Sequence, residues 1–149
     1  MGPAYAIEGS HGTAADTAVG LQSVAIARPH CYYVGISSET NSADNTDVYE
    51  VKLADGTGAG TSTGVTPKPL NDGFAASDAT GEQAYSAEPT TYDAVPMLKV
   101  GLNQKLFFQW FAREGGELVV PAVANATLGI FIVSQETASS TSGVFHFFE

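Results

Sequence analysis

At 149 residues the chain has the length of one compact unit able to bury a core, and a two-domain enzyme is not expected. Sixteen acidic residues against six lysines and arginines give a formal charge of -10, which argues against a surface built to neutralise nucleic-acid phosphates or an anionic bilayer. With 44% hydrophobic and 15% charged residues, the composition is that of a globular protein and not of a disordered one.

The apolar pattern repeats at period two, the mark of strands, and no window of about a dozen residues sustains an amphipathic helix. Predicted strands cover 4–8, 19–27 and 32–37. In 47–54, Tyr49, Val51 and Leu53 alternate with Val48, Glu50 and Lys52, as in a strand with one dry and one wet face. A further strand at 96–102 precedes 105–112, in which Leu106, Phe108 and Trp110 share one face. Segments 117–120, 128–134 and 143–148 complete the set. Turn signals at Asp55-Gly56, Asn71-Asp72-Gly73, Glu114-Gly115-Gly116 and Asn125-Ala126 separate them. The reading is a single all-β domain over 1–149, an antiparallel β-sandwich or jelly roll of about 8–9 short strands, with a closed barrel as the alternative.

Between 55 and 95 the alternation lapses for far longer than an ordinary connection, so a long functional or mobile loop is expected there. It opens on a Gly/Thr-rich run at 56–64, passes Pro67 and Pro69, which favour extended backbone, and becomes acidic and Ala-rich. This loop and the N-terminal segment 1–7 are the expected intersubunit arms. The start, Met1-Gly2-Pro3-Ala4-Tyr5, has no basic stretch before an apolar one, and no run of about 18 apolar residues occurs. A soluble protein without a signal peptide is therefore expected.

None of the short motifs assembles chemistry. Gly56, Gly58 and Gly60 follow a strand, but they lead to prolines and not to the helix whose N-terminal amides a phosphate loop needs. His11, His30 and His146 are far apart, and Cys31 beside His30 points to the opposite face of a strand, so neither a metal site nor a Cys/His pair is expected. The single cysteine also leaves no intrachain disulfide. The carboxylates Asp44, Asp47, Asp55, Asp72, Asp78, Glu82, Glu88 and Asp93 read as solvated loop residues and match no calcium-loop spacing. Asn125-Ala126-Thr127 fits a glycosylation sequon, with no secretory signal to accompany it. No enzyme and no cofactor are expected.

The aromatic residues carry more. Phe107, Phe108, Trp110 and Phe111 fall in one strand, and Phe145, Phe147 and Phe148 end the chain, so both faces of each strand bear large apolar groups. A second apolar face points to contact with another chain, or to a strand covered on both sides within its own fold. His146 is expected to face away from Phe145 and Phe147.

Laid out in order, several segments resemble the capsid decoration, or cement, proteins of jelly-roll type encoded by tailed bacteriophages. They are Val65-Thr66-Pro67-Lys68-Pro69-Leu70, Ala87-Glu88-Pro89-Thr90, Leu102-Asn103-Gln104-Lys105 with Gln109-Trp110, and Gly115-Gly116-Glu117-Leu118-Val119-Val120-Pro121-Ala122. The resemblance covers roughly the C-terminal two thirds of the chain. It implies a structural virion protein on the outer surface of an icosahedral capsid, made in the host cytoplasm. Its implied partners are other copies of itself, as a homo-trimer, and the phage major capsid protein, with no nucleic acid and no membrane. Each bound copy would add buried area across joints of the shell. The expected capsid or intersubunit contacts are Tyr5, Ile7, Val65, Pro67, Pro69 and Leu70. The expected core and trimer interface comprises Phe107, Phe108, Trp110, Phe111, Phe145 and Phe147. The competing class is a carbohydrate-binding or host-attachment β-sandwich module of a virion, with Tyr32, Tyr33, Tyr85 or Tyr92 as sugar-stacking candidates.

Overall fold

Strict alternation becomes strand. In β1 (Ala4–His11) Tyr5, Ile7 and Gly9 are buried while Glu8 is exposed, and the same two-residue rhythm runs through the last strand. The structure is a computed structural model that describes residues 2–12, 15–39, 43–136 and 138–149. Among the described residues there are twelve strands and no helix. After β1 come β2 (Thr17–Gln22), β3 (His30–Ser38), β4 (Thr46–Ala54), β5 (Thr61–Val65) and β6 (Lys68–Pro69). The second half holds β7 (Thr80–Ala87), β8 (Leu98–Asn103), β9 (Phe107–Phe111), β10 (Leu118–Val119), β11 (Thr127–Ser134) and β12 (Thr141–Phe148).

The strands form two antiparallel six-stranded sheets. One has the order β10-β3-β12-β1-β6, with β9 also on β3; the other has the order β5-β7-β2-β11-β4-β8. The first two strands pair with the last two, β1 with β12 and β2 with β11. Then β3 returns to β12 and β4 to β11, while β8 and β9 add to β4 and β3. This wrapping of successive strands between two sheets is jelly-roll connectivity. Strands β5, β6 and β7 are inserted between β4 and β8, and β10 between β9 and β11.

The core lies between the sheets. Tyr5, Ile7, Val34, Ile36, Phe145 and Phe147 come from the first, and Val19, Leu21, Tyr49, Val51, Leu128, Ile130 and Ile132 from the second. At the middle, the cross-strand pair Gly9 and Gly143 lets the sheets approach closely. A Cβ on Gly143 would lie 2.6 Å from Cγ1 of Val19 and 2.8 Å from Cδ1 of Ile130.

The 55–95 stretch is not the long loop that its composition predicts. β7 joins β2 at the heart of one sheet, β5 joins β7 at its edge, and β6 pairs with β1. The alternation is invisible because the core-facing positions of β7 are Gly81 and Gln83, paired with Leu21 and Val19, so neither puts a large apolar side chain inward. The glycines that precede β5 are turn formers: Gly56, Gly58 and Gly60 have φ of 98°, 71° and 81°, and no helix follows them.

The N-terminal segment is no arm either. Tyr5 and Ile7 are 2% exposed within the chain's own core, while Met1 lies outside the described residues. The predicted strand at 19–27 ends at Gln22, and 117–120 shrinks to Leu118–Val119. Both stop at a crossing where the Ser23 hydroxyl shares its one proton between the carbonyls of Pro121 and Val123, 2.6 and 2.7 Å away.

Candidate binding surface

The two sheets differ in what covers their outer faces. On the β2–β11 side the inserted segment folds back over its own sheet. Tyr85 lies over Gly20 and Tyr92 over Gly129, which are cross-strand partners, and a Cβ on either glycine would meet a tyrosine hydroxyl at 2.3 or 2.1 Å. A bulge in β2 places Thr17 opposite Phe131, on this same face. Thr17 donates from its backbone nitrogen to Glu88 Oε1 at 2.9 Å and from its hydroxyl to Glu88 Oε2, and it meets the Tyr92 hydroxyl at 2.9 Å. Beside this lid Glu50 is held between Lys52 and Lys99, each 2.8 Å away, and Lys52 sits 5.0 Å from the centre of the Phe131 ring.

These two glutamates titrate in opposite senses. Hydrogen bonds from Lys52 and Lys99 hold the Glu50 carboxyl below its ordinary range, so its contribution to stability is present above that range and is lost as pH falls through the lowered value. Burial pushes Glu88 up despite its bonds from Thr17, so its contribution is present at low pH and is lost as pH rises through the raised value. Melting temperature against pH should therefore lose part of its acid-side fall in Glu50→Gln. Glu88→Gln should instead flatten the decline that sets in above the ordinary glutamate range. An unchanged profile in Glu88→Gln would show that its carboxyl is not desolvated.

Among the described residues no such lid covers the outer face of the other sheet. On β12 Phe145 and Phe147 point inward at 0% exposure, which leaves His146 and Phe148 outward. On β3 the register shifts between His146↔Tyr33 and Phe147↔Cys31, so Tyr32 is the extra residue of a bulge. Cys31 turns inward, and Tyr32 and Tyr33 both turn outward. The result is a continuous aromatic surface. Phe148 stacks on His30 at 5.0 Å between ring centres and on Tyr32 at 6.2 Å. Tyr33 meets His146 at 4.7 Å and Phe111 at 4.8 Å, and accepts a hydrogen bond from Gln109 Nε2 at 3.1 Å.

This surface has two parts. Along the edge strand β9, Phe107 and Phe111 are 54% and 64% exposed, and Leu106 beside them is 59% exposed. At the other end a groove of about 540 Å³ is lined by Tyr32, Phe148, Ala112, Glu114 and Glu117. Glu117 is held in place by the backbone nitrogen of Gly115, which donates to its Oε1 at 3.2 Å. Partial burial pushes the Tyr32 hydroxyl up and the His146 imidazole down, so both are neutral near pH 7.

The residues singled out in the sequence are thus divided. Phe107 and Phe111 are on the open face, while Phe108 and Trp110 are half-buried against the core. Phe145 and Phe147 are core residues of their own chain and not interface residues, because they lie between the sheets. Pro67 is buried, Pro69 is paired with Tyr5, and Val65 and Pro67 line a shallow groove of about 330 Å³. Leu70 is half exposed, but its backbone nitrogen donates to Ala4, so 65–70 and the N-terminal strand are stitched to each other and neither projects as a separate arm. Of the four tyrosines, Tyr85 and Tyr92 are enclosed in the lid over the opposite sheet; Tyr32 and Tyr33 lie on the uncovered sheet, where Tyr33 is itself buried against Phe111 and His146.

Asp47 is also not the solvated loop carboxylate that its neighbours suggest: it is fully buried at the start of β4. Burial pushes the Cys31 thiol up to about 12, which leaves it protonated and unreactive as a nucleophile near neutral pH. Among the described residues no three His, Cys, Asp or Glu side chains come together as a metal site. Glu114 and Glu117 carry no signal in the sequence beyond their place in a glycine turn after an aromatic strand. Comparison with protein-family models, with curated proteins and with solved structures found no match.

Proposed function

We propose that this chain is a structural virion protein that decorates the outside of an icosahedral phage head, associating as a trimer and bridging major capsid proteins. The observation that carries the reading is the uncovered apolar pair Phe107 and Phe111 on the edge strand β9, with exposed Leu106 in the turn just before it. An edge strand with exposed phenylalanines invites either aggregation or a specific partner, and a protein that works in a dense array must have the second. The segment resemblance noted above supplies the kind of partner. A net charge of -10 would keep arrayed copies soluble and away from packaged DNA. Three copies engaging one local three-fold would multiply modest single contacts.

The mass of the purified chain in solution, followed by co-sedimentation with expanded, undecorated heads, tests this. A trimer that pellets with heads in fixed stoichiometry is expected, and the double variant Phe107→Ser/Phe111→Ser should stay in the supernatant while melting like the parent. A monomer that ignores heads would overturn the reading.

A further inference from the structure

We propose that the groove between the Tyr32 and Phe148 rings and the Glu114–Glu117 turn is a saccharide-binding site, selective for neutral pyranose units over acidic ones. Three features of the groove point to that chemistry together. Its walls include two aromatic rings that lie within 25° of parallel, with His30 continuing the row at 18° to Phe148. Rings of that kind match the C–H face of a pyranose, which is apolar although its rim is not. The turn contributes two carboxylates and the groove no lysine or arginine, so its charged groups are hydrogen-bond acceptors, beside a Tyr32 hydroxyl that can also donate. Sugar hydroxyls are donors, and a carboxylate accepts from adjacent hydroxyls with the strength of a charge-assisted bond.

Size and charge narrow the ligand further. A volume of about 540 Å³ falls in the range of small-ligand clefts and is wasted on a single ion. An acidic sugar would bring a carboxylate against Glu114 and Glu117 in a chain already at -10. The walls are also preorganised. The β3 bulge fixes Tyr32, cross-strand pairing to His30 fixes Phe148, and the Gly115 backbone fixes Glu117.

The site stands independently of shell binding. Its test is a titration of the ¹⁵N-labelled full chain with cellotriose, with chitotriose, with a glucuronate-containing trisaccharide and with choline. A neutral trisaccharide should shift amides of 30–32, 112–117 and 146–148, with the acidic one inert. Tyr32→Ala should weaken binding by roughly tenfold or more, and so should Glu114→Gln/Glu117→Gln, which changes no core residue and leaves the fold intact. Three outcomes would overturn the proposal: choline shifting these amides while no sugar does, neutral sugars shifting nothing, or sugar shifts that survive both variants in spectra of a folded protein.

Discussion

Phe145→Ala should lower stability by about 3–5 kcal/mol, which for a chain of this length is a fall in melting temperature of roughly 10 °C or more. Phe145 has no exposed surface and stands in the middle of β12, flanked by Ile7 on β1 and Val34 on β3. Its ring faces the opposite sheet, so truncation removes apolar contacts and opens a void that the backbone of two paired ladders resists filling. Phe107 is the internal control: the same ring, 54% exposed on an edge strand, should change stability by less than about 0.5 kcal/mol when truncated. Equal melting temperatures for Phe145→Ala and Phe107→Ala would contradict the burial of β12.

Asp47→Ala should cost about 2–4 kcal/mol although it removes only a few atoms. Asp47 is fully buried and accepts two bonds from Gln104 Nε2, at 3.0 and 3.1 Å, and one from the Tyr49 hydroxyl at 3.0 Å. Tyr49 is itself enclosed, and burial pushes its hydroxyl up to about 12, so it remains a donor across the whole working range. Alanine would leave these donors facing an apolar interior. Gln104 also accepts from the Ala43 backbone nitrogen at 3.0 Å, so the cluster ties the entrance of β4 to the turn after β8. Asp47→Asn keeps an acceptor and should cost less, and Asp47→Leu/Gln104→Leu should recover part of the loss by removing both partners. Denaturant melts of the three variants and the parent would decide it; an Asp47→Ala protein as stable as the parent would mean that water satisfies the cluster.

How much of this was legible in the sequence depended on what filled the buried positions. β4 and β9 were readable because their alternate residues are large and apolar. β12 was readable at Phe145 and Phe147 for the same reason. β5 and β7 were not: β5 is Thr/Ser/Gly-rich, and a β7 whose core-facing positions are Gly81 and Gln83 has the composition of a loop. The open aromatic face was half legible. Phe107 and Phe111 follow from parity in β9, but parity puts Tyr32 and Tyr33 on opposite faces, and only the bulge opposite His146 and Phe147 brings them together. Asp47 was misread because nothing in the chain marks Gln104, which is distant in sequence, as its partner.

The pairing of β1 with β12 sets Ala4 opposite Phe148 at one end of a ladder and His11 opposite Thr141 at the other. Traction applied at residues 4 and 148 would therefore peel that ladder open from its end, breaking its cross-links in succession and never loading them all at once in shear. The fold is mechanically soft to a pull on its two ends. A tether joining those ends would close the zip at its starting tooth and should raise the force needed to unravel the molecule far more than it raises its melting temperature.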